Sequence, residues 1–215
     1  MARAVASLLA LLLLAACIGT GPPDPATLEA VRRGETAMVM LRFTATDQDG
    51  RVAEPFAHSG AVDDNLRLAF GGFATGGVPE EVHPLVRFPT EQARAEGIAY
   101  VPLRPGYHYL AIQGARRTDV FSDARRRRAA PLWRIEVPTG VMVVYAGTFR
   151  LSVATEGLLF GGDVITAIDH AATRVEDEGE RAAVAVVRDL PGLGAPLTRL
   201  AVRHAGPILL GTPSR

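Results

Sequence analysis

Hydrolytic chemistry needs a nucleophile held against a base. Beyond the first twenty residues the serines are Ser59, Ser122, Ser152 and Ser214, and none stands in a Gly-x-Ser-x-Gly elbow that would expose it on a strand-to-helix turn. His58 and Ser59 are neighbours in sequence, which is not the through-space pairing of a base with its nucleophile. The five histidines, His58, His83, His108, His170 and His204, never recur at two- or four-residue spacing, so no single strand or helix aims two imidazoles at one metal. His108 shares a strand face with Leu110 and Ile112 and reads as a hydrogen-bonded, partly buried side chain. Asp47 and Asp49 could begin a calcium loop, but Arg51 takes the third ligand position and no glutamate closes a twelve-residue loop, so a turn is expected. The run from Gly71 to Gly77 lacks the lysine and the following helix of a phosphate cradle, and Pro79 comes soon after it; it reads as a surface loop. No catalytic residue, metal ligand or cofactor is therefore expected. The alternative is an envelope enzyme whose site is assembled only by the fold.

Charge gives a second lead. The chain balances 23 basic against 23 acidic residues, which removes the basic excess of a nucleic-acid binder, and no nucleic-acid partner is expected. Lysine is absent, so arginine is the default cation. Between Arg116 and Arg128 six arginines face two aspartates, and Arg125, Arg126, Arg127 and Arg128 are consecutive. Guanidinium forks bind phosphate bidentately, so this run could grip an anionic lipid or lipopolysaccharide; it could equally be a solvated loop.

The single cysteine, Cys17, excludes an internal disulfide and a thiolate zinc site. It stands behind Arg3, an apolar run from Val5 to Leu14, and the small residues Ala15 and Ala16. That run is shorter than the roughly 20 residues a membrane-crossing helix needs, so it reads as an export signal. Leu14, Ala15, Ala16 and Cys17 resemble the lipobox of bacterial lipoproteins. The resemblance implies a signal peptide at residues 1–16, cleavage before Cys17, a diacylglyceryl thioether and N-acyl chain on Cys17, and Ile18 favouring the outer membrane. The expected location is the periplasmic face of that membrane, with the bilayer and an unidentified envelope protein as partners. Residues 17–25 then form the acylated cysteine and a Gly- and Pro-rich tether, whose eight residues after Cys17 reach roughly 26 Å.

The elements that must carry these residues lie in one domain, 26–215, within a 215-residue chain that is 48% apolar and can fill a core. Asp24-Pro25 and Gly34 bracket a short helix at 25–33. Thr36–Thr46, running into Asp47-Gln48-Asp49-Gly50, predicts a hairpin returning near 51–56. Strands are also expected at 65–70, 85–88, 98–103, 107–113, 132–137, 141–151, 158–168 and 197–202. Pro105-Gly106 and Pro138-Thr139-Gly140 predict two further hairpin-like units. One late helix is expected, with Asp177, Glu178 and Glu180 in front, Arg188 at the rear and Pro191-Gly192 as its stop. This pattern is that of a mainly β protein, an antiparallel β-sandwich with a C-terminal helix. Over 98–151 the Val-Pro strand rising into Pro105-Gly106-Tyr107 resembles the Pro-Gly-x-Tyr hairpin of prealbumin-like and carboxypeptidase-regulatory-like sandwiches, which implies an Ig-like fold but no activity. The expected role is that of a non-enzymatic binding or envelope-structural lipoprotein.

Overall fold

The computed structural model describes residues 20–56, 66–73, 79–82, 86–114, 130–157, 163–194, 197–199 and 203–208. The chain enters through helix α1 (Pro25–Arg32), whose first turn is capped by Asp24 accepting from the Thr27 amide at 2.9 Å, with proline at the first helical position. Strand β1 (Ala37–Asp47) comes next and turns through Asp47-Gln48-Asp49-Gly50 into β2 (Val52–Ala53). Asp47 Oδ1 accepts from the amides of Asp49 and Arg51 at 2.9 and 2.8 Å, and Gly50 takes φ 78°, so the Asp-Gly segment is a turn. The chain continues through β3 (Leu66–Phe73), β4 (Pro79–Val82), α2 (Glu91–Ala95), β5 (Ile98–Leu103), β6 (Gly106–Gly114) and β7 (Ala130–Val137). It ends with β8 (Val143–Gly157), β9 (Asp163–Glu176), α3 (Gly179–Asp189), β10 (Thr198–Arg199) and β11 (Arg203–Ile208).

These strands form two sheets. In the first, β1 lies beside β8, with β5 and β2 on the outer side of β1 and with β9 and β10 beyond β8. The second is antiparallel in the order β11, β7, β6, β3, β4. Val39, Leu41, Phe43 and Ala45 of β1 share one hydrophobic core with Leu66, Phe70, Leu110, Ile112, Trp133 and Ile135 of the second sheet. Phe149 joins the two, stacked on Phe43 at 5.2 Å and edge-on to Trp133 at 5.4 Å. The opposite face of the first sheet is covered by helices: Met38, Met40, Tyr100 and Tyr145 pack with Val31 of α1, Ala93 of α2 and Ala182, Ala185 and Val186 of α3.

The mainly β expectation holds, but several local expectations need correction. The first sheet is mixed: β8 runs parallel to β1 and to β10. The reason is visible in β1, whose residues Ala37 to Leu41 are all buried; a strand covered on both faces is where parallel pairing is found, and its sequence loses apolar-polar alternation. Neither Pro105-Gly106 nor Pro138-Thr139-Gly140 closes a hairpin. Strand β5 pairs with β1 while β6 pairs with β3 and β7, and β7 likewise leaves its sheet for β8, so both turns carry the chain between sheets. A turn signal fixes the reversal of the chain, not the hydrogen-bonding partner of the next strand. The helix expected at 25–33 is present as α1 and the late helix as α3, but α2 was not expected; it joins them because the first sheet has a second apolar face to cover. Finally, Gly71 to Phe73 belong to β3 and pair with β4, rather than forming a loop. The strand expected at 85–88 is reduced to two isolated bridges, Arg87 with Tyr100 and Phe88 with Thr20, and β9 runs on to Glu176, past the expected end at 168.

Candidate functional site

Leu14, Ala15, Ala16 and Cys17, and Arg125, Arg126, Arg127 and Arg128, lie outside the described residues. The structure instead shows how the chain is gripped just after Cys17. Thr20 pairs in parallel with Phe88, the Gly21 amide donates to the Phe88 carbonyl at 2.9 Å, and the Thr20 hydroxyl donates to the Glu91 carboxylate at the start of α2. Asp24, capping α1, lies 3.6 Å from Arg87. Its carboxyl is held below the ordinary aspartate value chiefly by the Thr27 side-chain hydrogen bond, then by the Thr27 amide, with Arg87 adding its charge. The segment read as a free tether to residue 25 is thus engaged from Thr20 onward.

Two polar clusters tie the helices to the first sheet. At the start of α3, Glu178 accepts from the Thr148 hydroxyl at 3.0 Å, from Arg150 at 3.1 Å and from the Arg42 guanidinium. The Tyr145 hydroxyl contacts Thr148 at 2.9 Å and accepts from the Glu178 amide at 3.1 Å. Burial would raise the Glu178 carboxyl, but the Thr148 hydrogen bond and the Arg42 charge outweigh it and hold the group below the ordinary glutamate value. Glu178 and Arg42 line a shallow surface dent together with Met40, Ile98, Tyr145 and Thr148, with no enclosed space for even a water molecule.

At the other end of α3, the Asp189 carboxylate has no exposed side-chain surface. It accepts from Thr90 at 3.1 Å, from Tyr100 at 3.0 Å and from Arg188 at 2.7 and 2.9 Å. Arg188 also reaches both oxygens of Glu96, at 3.0 and 3.1 Å. Burial, reinforced by the neighbouring Asp189 charge and hydrogen bond, pushes the Tyr100 phenol far above its ordinary value, so it stays protonated and donates.

Chemically these clusters are latches. Each carboxylate meets several donors, and Thr148 and Tyr100, which supply hydroxyls to them, are wholly buried. Among the described residues no group of three His, Cys, Asp or Glu side chains is placed to hold a metal. His108 is half-buried, its Nε2 lying 2.7 Å from the Arg104 carbonyl, as a hydrogen-bonded histidine should be. No helix among the described residues is long and apolar enough to cross a membrane.

Sequence reasoning missed Arg42, Glu178, Tyr100 and Asp189 because their partners are far apart along the chain: 136 residues separate Arg42 from Glu178 and 89 separate Tyr100 from Asp189. One usable signal was Arg42 itself, a charge interrupting the apolar run of β1. Comparison with protein-family models, curated proteins and solved structures finds no match to this chain.

Proposed function

We propose that this protein is a non-enzymatic lipoprotein of the bacterial envelope, a β-sandwich domain anchored through diacylglycerol on Cys17 to the periplasmic face of the outer membrane, where it binds or scaffolds envelope components. The observation that carries the reading is the position of the chain's only cysteine, directly behind Leu14-Ala15-Ala16 and an apolar run from Val5. A residue kept for its reactivity rather than its packing belongs at such a processing site. Two acyl chains suffice for stable anchoring, whereas one gives marginal binding. The sandwich reading is supported by the core shared between the two sheets, and the non-enzymatic reading by the saturation of Glu178 and Asp189 with hydrogen bonds.

Labelled palmitate tests the anchor: the wild-type chain takes up label and fractionates with outer membrane, and Cys17→Ala does neither. Continued outer-membrane fractionation of the unlabelled variant would refute the reading.

A further inference from the structure

We infer that the edge of the domain built from Thr20–Asp24, Phe88 and α2 faces the membrane, so that the protein is held in one orientation with β9 on the side directed away from the bilayer. This rests on the lipid-anchor reading and adds a geometry to it. Only Ile18 and Gly19 separate Cys17 from Thr20, the first described residue and already engaged, a reach of about 11 Å at most. The engagement is multiple: a strand bridge and an amide bond to Phe88, a hydroxyl bond to Glu91, then the Asp24 cap on α1. A lipidated Cys17 sits at the bilayer interface, and these contacts therefore hold Thr20 within about 11 Å of it and the Phe88 segment one strand spacing beyond.

The opposite edge is beyond that reach. At the level of Arg42, the first sheet runs Ile98 of β5, Arg42 of β1, Thr148 of β8 and Glu176 of β9; the Arg87–Tyr100 bridge adds the Phe88 segment outside β5, and Thr20 pairs with Phe88 one step further out. Four inter-strand spacings place β9 about 19 Å from the Phe88 segment, and a fifth places it about 24 Å from Thr20. The charges at the anchor edge also permit close approach, since Asp24 and Glu91 are matched by Arg87 and Arg94, and these four residues bring no net negative charge to the headgroups.

The test uses the full lipidated chain, in which thioether formation leaves an introduced cysteine as the sole free thiol. Gln92→Cys on α2 and Arg174→Cys on β9, both at exposed positions, are labelled with a small fluorophore. The proteins are reconstituted in phosphatidylethanolamine–phosphatidylglycerol vesicles carrying headgroup-nitroxide quencher. Quenching at position 92 should exceed that at position 174 several-fold. A Gly-Ser linker of roughly 20 residues inserted between Ile18 and Gly19 should remove the difference while palmitate incorporation is unchanged. Equal quenching in palmitate-labelled protein, or a difference that survives the linker, would overturn the orientation and leave the anchor intact. Absence of palmitate would overturn both.

Discussion

At the scale of single residues, two carboxylates, Glu178 and Asp189, join parts of the chain that lie far apart in sequence. Glu178 shows the sign of the effect: its folded-state pKa lies below the unfolded value, so its contribution is fully present above the ordinary glutamate value of about 4.5 and is lost as pH falls through the lower folded value. Glu96 is shifted the same way, because its hydrogen bonds from Arg188 and Gln92 overcome the opposing effect of burial. Denaturant unfolding measured between pH 7 and 3 should therefore show falling stability below about pH 4.5, with a shallower fall in Glu178→Gln. That substitution leaves Arg42, only 11% exposed, facing a neutral amide. It should cost about 2 kcal/mol at pH 7, less than a fully buried pair would lose, because Glu178 keeps some solvent contact. Tyr100→Phe removes one donor from the wholly buried Asp189 carboxylate and should cost about 1.5–3 kcal/mol, with almost no loss of volume to confuse the result.

At the scale of elements, β1 and α2 decide how the layers meet. Helix α2 stops at Gly97, which takes φ 71° and whose carbonyl accepts from the Phe43 amide at 2.8 Å; a Cβ there would stand 2.1 Å from the Phe43 carbonyl oxygen. Gly97→Ala must both strain a left-handed residue and push α2 off β1, so a loss of about 1–3 kcal/mol from the backbone alone is expected, with more from the clash. Phe149 performs the corresponding task between the sheets, and Phe149→Ala should cost about 3–5 kcal/mol by opening a cavity between Phe43 and Trp133. Thermal melts of both variants check these losses; a melting temperature unchanged in Phe149→Ala would mean that the sheets do not depend on this contact.

At the scale of the whole molecule, the arginine run would offer a contact with anionic surfaces that is separate from the lipid anchor. With its lipid removed, a chain beginning at Ile18 should still bind anionic vesicles or lipopolysaccharide at low salt and release them as salt rises, since each arginine near such a surface contributes on the order of 1 kcal/mol within a Debye length. Replacing Arg125, Arg126, Arg127 and Arg128 with glutamine should abolish that binding in a vesicle co-sedimentation assay. Equal sedimentation of both proteins would assign the run to solvation alone.

The features legible along the chain are those that depend on sequence neighbours. The Asp24-Pro25 entry to α1, the Asp47–Gly50 turn, the acidic front and Arg188 rear of α3, and the preponderance of short β-rich runs are all local, and all are present in the fold. Pairing partners, by contrast, were chosen by packing. Backbone hydrogen bonding between strands is indifferent to side-chain identity, so nothing local told β5 to pair with β1 instead of β6, or β8 to run parallel to β1. The clusters around Glu178 and Asp189 were hidden for the same reason. A charged residue in isolation reads as solvent-facing, and only the packing of α3 on the first sheet removes the water and makes Arg42, Tyr100 and Thr90 the groups that must replace it.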